Sequence, residues 1–342
     1  MLLPFLHKIA AGEDLSAVEA REAMLVVLGG SATTPQISAF LMGLHMKGET
    51  AEELLGFARA MREKTTRIDA CPGDPQPLLD TCGTGGGAVS TFNISTVAAF
   101  VVAGAGARVA KHGNRSFSTQ CGSADVLEHL GIRVSQPPER VAQAIREIGI
   151  GFLFAPELHP AMKHAQPARM ELKMRTVFNL LGPLTNPAGA TRQLIGAPSA
   201  QAAELLANAL AGLAPERAFV VHGDGLDEVT TAGTTLVFEI RGSDVRSFQW
   251  TPADFGVEPA GIAHLQGGDP ARNAQIATAV LNGRAGPQRD IVLVNSAAAL
   301  LVSGLADNPL HAMERAAQSI DSGAALSKLE KLAEFSRSWP KD

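Results

Sequence analysis

Cysteine is scarce in this sequence, and the three that occur, Cys71, Cys82 and Cys121, are odd in number, far apart and outside any Cys-x-x-Cys pair. Neither a disulfide framework nor a zinc knuckle is expected, and a reducing cytoplasm is the expected compartment. Charge is thin too: only 18% of residues are charged, against about 25% in typical soluble domains. The 29 Lys and Arg against 34 Asp and Glu give a formal net charge of −5, so there is no basic field for gripping nucleic acid or an anionic membrane. Any anion site must be local. Long apolar runs are also missing. The longest nearly apolar stretch, residues 97–107, is interrupted by Gly104 and Gly106 and falls short of the ~18 residues a membrane span needs. The first ten residues lack the charged region that precedes the apolar stretch of a secretory signal. These absences point to a soluble, cytoplasmic chain whose 342 residues suffice for two domains.

What is present is 46% hydrophobic residues, which excludes a disordered chain, with 34 glycines and 20 prolines that point to functional loops. The first 64 residues read as consecutive short helices. Ser16 with Glu19, and Thr50 with Glu53, have the spacing at which hydroxyl and carboxylate satisfy the free N–H groups of a first turn. Pro35 fits a first helical position after Thr34, and Ile37, Phe40, Leu41 and Leu44 share one buried face. Gly29-Gly30 and Gly48 mark helix ends. Residues 68–77, with three prolines and a glycine, read as a linker.

Beyond it, short apolar runs at 78–81, 108–110, 151–154, 193–196, 218–222 and 236–240 predict strands. Helical patterns cover 95–106, 138–148, 200–213, 269–282 and 290–304, and the alanine-rich run 285–329 predicts two or three packed helices. The alternation implies an α/β fold, with a largely parallel sheet covered by helices behind a small all-helical N-terminal unit.

The chemistry concentrates between Asp80 and Asp125. Residues 81–124 contain no carboxylate, where the average composition would place about four, yet they hold Arg108, Lys111 and Arg115. A local anion site is the natural reading. At its start, Gly83-Thr84-Gly85-Gly86-Gly87 follows a predicted strand, and the missing side chains let backbone N–H groups approach phosphate oxygens. Asn93, Ser95 and Thr96 then stand at the mouth of a helix, which favours negative charge. A P-loop is excluded because no Lys follows the glycines, and a dinucleotide fold because the carboxylate-free stretch removes its ribose-binding acid. The second half runs from Lys111 through His112, Gly113, Asn114, Arg115, Ser116, Phe117, Ser118 and Thr119 to Gly122-Ser123. A strand ending at Ala110 would bring these residues to the carboxyl edge of the sheet.

Further on, Arg169 read alone is one half of a surface ion pair, and His159 and His164 read as packing or channel residues because no metal spacing is present. His222-Gly223-Asp224-Gly225-Leu226-Asp227-Glu228 forms a turn after a strand. Its adjacent carboxylates are either a solvated acidic turn or hard oxygen ligands for Mg²⁺.

Gly83-Thr84-Gly85-Gly86, Thr91-Phe92-Asn93-Ile94-Ser95-Thr96, Lys111 to Ser116, Gly122 to Gly131, Arg175 to Gly189 and Asp227-Glu228 together resemble the anthranilate phosphoribosyltransferases of tryptophan biosynthesis. That family shares its fold with the pyrimidine nucleoside phosphorylases, and the likeness spans nearly the whole chain. The Asn179 to Pro187 turn is, by that relation, a marker of the fold. The resemblance implies a helical domain over 1–66, joined by a helix or two from about 160–190, and an α/β catalytic domain over 67–342. It implies transfer of phosphoribose from 5-phosphoribosyl 1-diphosphate to anthranilate, the second step from chorismate to tryptophan. The phosphoribosyl diphosphate would lie on Gly83, Gly86, Gly87, Thr91, Asn93, Ser95 and Thr96, on 111–119 and on Ser123, with Lys111 and His112 counted among the catalytic residues. Anthranilate would meet Gly83, His112, Asn114 and Arg169, whose planar guanidinium suits a carboxylate. Ser95, Asp227 and Glu228 would hold Mg²⁺, two ions per monomer, and the Asp227-Glu228 pair would serve catalysis through them. A homodimer formed through the helical domain and an association with anthranilate synthase are also implied. The apolar face around Phe40 to Leu44 serves either that contact or the domain's own core. Where the family often has Asp, this sequence has Gly87, which removes one contact. A pyrimidine nucleoside phosphorylase and a non-catalytic, nucleic-acid-binding relative are the alternatives. The Asn114 and Arg169 pair speaks against the first, and the net charge with an intact Asp227-Glu228 against the second.

Overall fold

The computed structural model describes residues 1–70, 76–87, 89–116 and 120–338. Cys71 and half of the expected linker lie outside the described residues, as do Ala88 and the expected ligand residues Phe117, Ser118 and Thr119.

Four helices open the chain: α1 (Leu3–Ala10), α2 (Ala17–Leu28), α3 (Thr34–Lys47) and α4 (Ala51–Lys64). Both expected capping boxes form, Ser16 with Glu19 and Thr50 with Glu53. A third, unexpected one joins Thr33 to Gln36, which moves the start of α3 back by one residue and puts Pro35 second in the helix. Gly29 and Gly48 end α2 and α3 as expected.

The α/β part runs β1 (Leu78–Asp80), α5 (Ile94–Gly104), β2 (Arg108–Gly113), α6 (Ser123–His129), α7 (Pro138–Ile148), β3 (Ile150–Phe154), α8 (Ala155–Leu158), α9 (Gln166–Leu172) and α10 (Phe178–Leu181). It continues with β4 (Arg192–Gly196), α11 (Ala200–Ala211), β5 (Arg217–Gly223), β6 (Thr235–Arg241), β7 (Asp244–Trp250), α12 (Pro270–Leu281), α13 (Pro287–Ser303), α14 (Pro309–Asp321) and α15 (Ala324–Arg337). All six expected strands form, within one to three residues at each end. The alanine-rich run resolves into three helices. Strand β7 was not expected, because Arg246, Ser247 and Gln249 break the apolar pattern of an edge strand. The expected turn after Asn179 is instead the end of α10 and a 3-10 turn, Gly182–Thr185.

The seven strands stand in the order β3-β2-β1-β4-β5-β6-β7, all running the same way except β6, which pairs antiparallel with both β5 and the edge strand β7. The order reverses direction at β1 and β4. In open parallel sheets, the crevice beyond the carboxyl ends of such a pair is where ligands bind. On one sheet face α5, nine of whose eleven residues are buried, lies beneath α13, α14 and α15. On the other face, α2, α3 and α4 share a continuous apolar core with α9, α10 and α11. Ile37, Phe40, Leu41 and Leu44 are buried in that core, so the α3 face expected to serve either dimer or core belongs to the core.

Candidate active site

Three chain segments meet at the sheet switch point. The glycine loop leaves β1, Gly196 ends β4, and Asp227-Glu228 follow β5. Thr84 N–H donates to the Gly196 carbonyl at 2.9 Å, which ties the first segment to the second. A Cβ on Gly196 would stand 1.6 Å from the Asp227 carbonyl oxygen, so only glycine lets the third segment pack against β4. Asn295 of α13 fixes the same loop, accepting Val229 N–H and donating to the Val229 carbonyl, each at 2.9 Å.

Lys111 is a strand residue and not the first residue past the strand. Strand β2 continues through Gly113, which buries Lys111 and His112 to 3% exposure each. The Lys111 Nζ donates to the Thr81 carbonyl at 3.1 Å, the Thr81 hydroxyl at 3.3 Å and the Ser95 hydroxyl at 3.4 Å. Ser95 N–H, in the first turn of α5, donates to Glu228 Oε1 at 3.2 Å. Thr81, Gly83, Ser95, Asp227 and Glu228 thus line one small cavity. Asp224 of the acidic turn is exposed, whereas Asp227 and Glu228 are half-buried. Burial, then the neighbouring Asp227, pushes Glu228 up to about 8 against the pull of Lys111 and Ser95 N–H. Burial also raises Asp227, opposed by its own N–H, Arg175, the Gly87 N–H and His222. The space that an aspartate at position 87 would enter is held by Asp227, whose Oδ1 lies 2.8 Å from a Cβ placed on Gly87. Arg175 reaches over the loop at Gly86 (φ +86°), where a side chain would collide with its guanidinium.

Asp80, which closes β1, is fully buried. Its Oδ1 accepts His112 N–H at 3.1 Å and its Oδ2 accepts Asn186 Nδ2 at 2.7 Å, so it clamps the end of β2 to the segment after α10. Asp80, Cys82 and His112 offer atoms within 4.8 Å of one another, the one such cluster among the described residues. It is a hydrogen-bonded cluster and not a metal centre, because both Asp80 oxygens accept N–H groups and burial pushes the Cys82 thiol up, away from thiolate. Burial raises Asp80 to about 6, opposed by Asn186, Lys111 and the N–H groups of His112 and Cys82. A carboxyl raised on folding contributes stability that is fully present below its unfolded value and is lost as pH rises through the folded one. The Asp80 contribution is therefore lost between about pH 4 and pH 6. Asp80→Asn should flatten the melting temperature across that window and lower turnover at least tenfold, since its amide would face the Asn186 amide. Thermal melts and initial rates from pH 4 to 8 check both, and a melting temperature with unchanged pH slope contradicts the assignment.

His112 Nδ1 lies 3.1 Å from the Gly182 carbonyl, and its Nε2 lies 3.2 Å from His159 Nε2. Burial, then His159, pushes His112 down to about 3, and burial pushes His159 down to about 4. His159 is therefore a direct neighbour of an expected substrate residue. Arg169, on α9, is no surface cation: it is largely buried, 5.4 Å over the Phe178 ring, and burial lowers its pKa.

The three cations of the carboxylate-free segment separate. Arg108 starts β2, at the end of the strand away from the site. Arg115 is half exposed and bonds to Asp125 at 3.0 Å and Glu128 at 2.7 Å, which raises its pKa. Lys111 alone enters the buried site. The loop before it leaves the described residues is fastened to α6: Asn114 N–H donates to Ser123 Oγ, and Ser116 N–H to Asp125. Gly113 touches Ser123, leaving no room there for a side chain. Thr91 bridges to Gln266, and the Asn93 amide turns from its own helix toward Cys121 and Asn273. Thr96 is buried behind Ser95. Asp80, Arg175, Asn186 and Asn295 were not among the site residues expected from the sequence. The signal for Asn295 was an amide in an otherwise apolar helix, and for Asp80 a carboxylate at the carboxyl end of a strand.

A parallel sheet with a glycine loop, a buried lysine and two half-buried carboxylates at its switch point, backed by a helical bundle, defines a glycosyl transferase. Residues 75–326 match the family described as glycosyl transferase family, a/b domain, and residues 3–65 the glycosyl transferase family, helical bundle domain. The anthranilate phosphoribosyltransferase of Solibacter usitatus is 60% identical over 98% of this chain and 99% of its own. The crystal structure of that of Thermus thermophilus superposes with a TM-score of 0.90 at 40% identity, covering 97% of this chain and 99% of that one. The Saccharomyces cerevisiae anthranilate phosphoribosyltransferase in complex with PRPP and Mg has a TM-score of 0.90 at 30% identity, covering 99% and 98%. The chain belongs to the anthranilate phosphoribosyltransferase family of these glycosyl transferases.

Proposed function

We propose that this chain transfers phosphoribose from 5-phosphoribosyl 1-diphosphate to the amino nitrogen of anthranilate, giving N-(5-phosphoribosyl)anthranilate and diphosphate. The observation that carries this reading is the convergence of the glycine loop, Lys111 and Asp227-Glu228 at the sheet switch point. The arylamine is neutral at pH 7 and already nucleophilic, so the protein's task is to stabilise the departing diphosphate while the ribose C1 becomes oxocarbenium-like, and to align the amine. Backbone N–H groups of Gly83 to Gly87 and the Lys111 ammonium face the diphosphate, with Asn93, Ser95 and Thr96 at the N-terminus of α5. Residues 113–116 and Ser123 wrap the ribose and its 5-phosphate, with Thr91 beside them. Arg169 and Asn114 take the anthranilate carboxylate, and His112 with the Gly83 backbone orients the ring. No covalent enzyme intermediate is needed.

Asp227, Glu228 and Ser95 are hard oxygen donors, and the two adjacent half-buried carboxylates are pushed up by burial despite Arg175 and Lys111, a set that fits Mg²⁺. When bound, two ions per monomer supply positive charge to the diphosphate oxygens.

We read residues 1–66 with about 160–190 as the helical domain, 67–342 as the catalytic one, and the protein as a cytoplasmic homodimer that can associate with anthranilate synthase. Among the described residues, four of the six large exposed apolar side chains, Met1, Leu3, Val18 and Met46, lie on the first three helices or beside them, which supports a contact through that domain.

The test is direct. Folded protein mixed with anthranilate, phosphoribosyl diphosphate and Mg²⁺ should extinguish anthranilate fluorescence, and a persistent signal would sink the assignment. Arg169→Ala should raise the KM for anthranilate at least tenfold while leaving that for phosphoribosyl diphosphate within about threefold, because only the first substrate loses a bidentate partner. Equal effects on both would contradict the role given to Arg169.

A further inference from the structure

Guanidinium groups elsewhere in the chain are met by carboxylates: Arg21 by Glu63, Arg115 by Asp125 and Glu128, Arg217 by Glu239. Arg175 differs. It stands half-buried against the glycine loop, its Nη1 only 1.3 Å from where a Cβ on Gly86 would lie. Its Nη2 is buried and has no hydrogen-bond partner among the described residues. A charged nitrogen shut away from water without an acceptor is costly, so its presence in a folded protein calls for a ligand or a role.

The backbone on both sides holds Arg175 in place. Lys173 ends α9 in the left-handed region (φ 50°), with its N–H on the Arg169 carbonyl at 3.2 Å, and Thr176 N–H donates to Asn179 Oδ1 at 2.9 Å. At the loop, two successive glycines are each covered by a side chain from another segment. Arg175 covers Gly86, and Asp227 covers Gly87, with its Oδ1 2.8 Å from the Cβ position. Asp227 attracts the guanidinium electrostatically yet leaves Nη2 without an acceptor.

We propose that Arg175 is a further diphosphate-binding residue, whose guanidinium takes diphosphate oxygens at the glycine loop, beside the Asp227 carboxylate that would hold Mg²⁺. The proposal rests on the transfer reaction above and adds a second fixed cation to Lys111. A departing diphosphate gathers more negative charge than one ammonium offsets, and a planar fork of N–H donors matches phosphate oxygens two at a time. The incoming oxygens also supply the acceptor that Nη2 lacks. Arg169 and Arg175 stand six residues apart on one segment, which thereby meets anthranilate at one end and diphosphate at the other.

Calorimetric titration with inorganic diphosphate at saturating Mg²⁺ tests this without turnover. Arg175→Met should weaken diphosphate binding roughly tenfold or more and raise the KM for phosphoribosyl diphosphate by a similar factor, while the KM for anthranilate stays within about threefold. Arg175→Lys keeps a charge but loses the fork, so its affinity for diphosphate should fall between those of Arg175→Met and the wild type. Unchanged diphosphate affinity in Arg175→Met would overturn the proposal, and a rise in the half-saturating Mg²⁺ concentration alongside it would show that Arg175 acts only through Asp227. Equal rises in both KM values would also overturn it, since they report a collapsed loop and not a lost contact. Should Arg175→Met fail to fold by its melting curve, Arg175→Lys decides alone, and wild-type affinity for diphosphate in that variant would count against the contact. Failure of the transfer reaction itself would appear separately, as no turnover by the wild-type protein.

Discussion

Lys111→Met should lower kcat by about 10²–10³-fold, the loss expected when one preorganised group stabilising a developing negative charge is removed. The side chain is only 3% exposed and is held by the Thr81 carbonyl, the Thr81 hydroxyl and the Ser95 hydroxyl. Its position is thus fixed before substrate arrives, and little reorganisation accompanies departure of the diphosphate. Methionine keeps most of the volume and removes the charge. The same ammonium draws down both Asp80 and Glu228, so its loss should push both carboxyls further up and leave them protonated at neutral pH. That route lets the fold survive: Asp80 joins Glu228, already pushed up to about 8, as a neutral acid, and no carboxylate is left without its ammonium. Circular dichroism and a melting curve close to wild type, together with the fall in kcat, are the expected pair of results. Lys111→Arg should not rescue, because a planar guanidinium cannot fit a cage built from contacts of 3.1 to 3.4 Å around one nitrogen. A kcat within tenfold of wild type in Lys111→Met would show that the diphosphate charge is met elsewhere.

The course of β2 shows what was legible in the sequence and what was not. The apolar run at 108–110 locates the strand, but a lysine and a histidine read as its end, because charged side chains break the hydrophobic pattern. In the folded chain the strand runs on, since Thr81 and Ser95 receive the ammonium and Asp80 receives the next N–H. Partners of this kind come from other segments and leave no local trace. Asp80 makes the point from the other side. It stands in the sequence as the border of a carboxylate-free stretch, while its role depends on Asn186, 106 residues later. The charge arithmetic of that stretch was sound as a pointer to an anion site. It could not show that Arg115 would be taken by Asp125 and Glu128, just past the segment's end. The helices were the easier part, because capping boxes and helix-ending glycines act within a few residues of themselves. The neighbour relation of His112 and His159 brings two elements together across the sheet edge, and no spacing in the chain encodes it.

Asp227→Asn should lower kcat by about 10²-fold at the Mg²⁺ concentration that saturates the wild type, and should raise the half-saturating Mg²⁺ concentration at least tenfold. The asparagine keeps the shape that packs beside Gly87 and leaves the backbone against Gly196 intact, so the change is chiefly one of charge. Charge is what a magnesium ligand contributes, and the ion's binding at this edge depends on few protein oxygens. The two adjacent carboxylates face different surroundings. Asp227 looks toward Arg175 and the Gly87 N–H, whereas Glu228 looks toward Ser95 N–H and Lys111. Ser95→Ala should therefore disturb the magnesium response from the Glu228 side, with a smaller shift than Asp227→Asn, because it removes a neutral oxygen and not a charge. Initial rates over a magnesium titration, with phosphoribosyl diphosphate held saturating, separate the two. Should Asp227→Asn reproduce the wild-type magnesium curve, the carboxylate pair does not hold the metal, and its burial beside Lys111 has to be explained by structure alone.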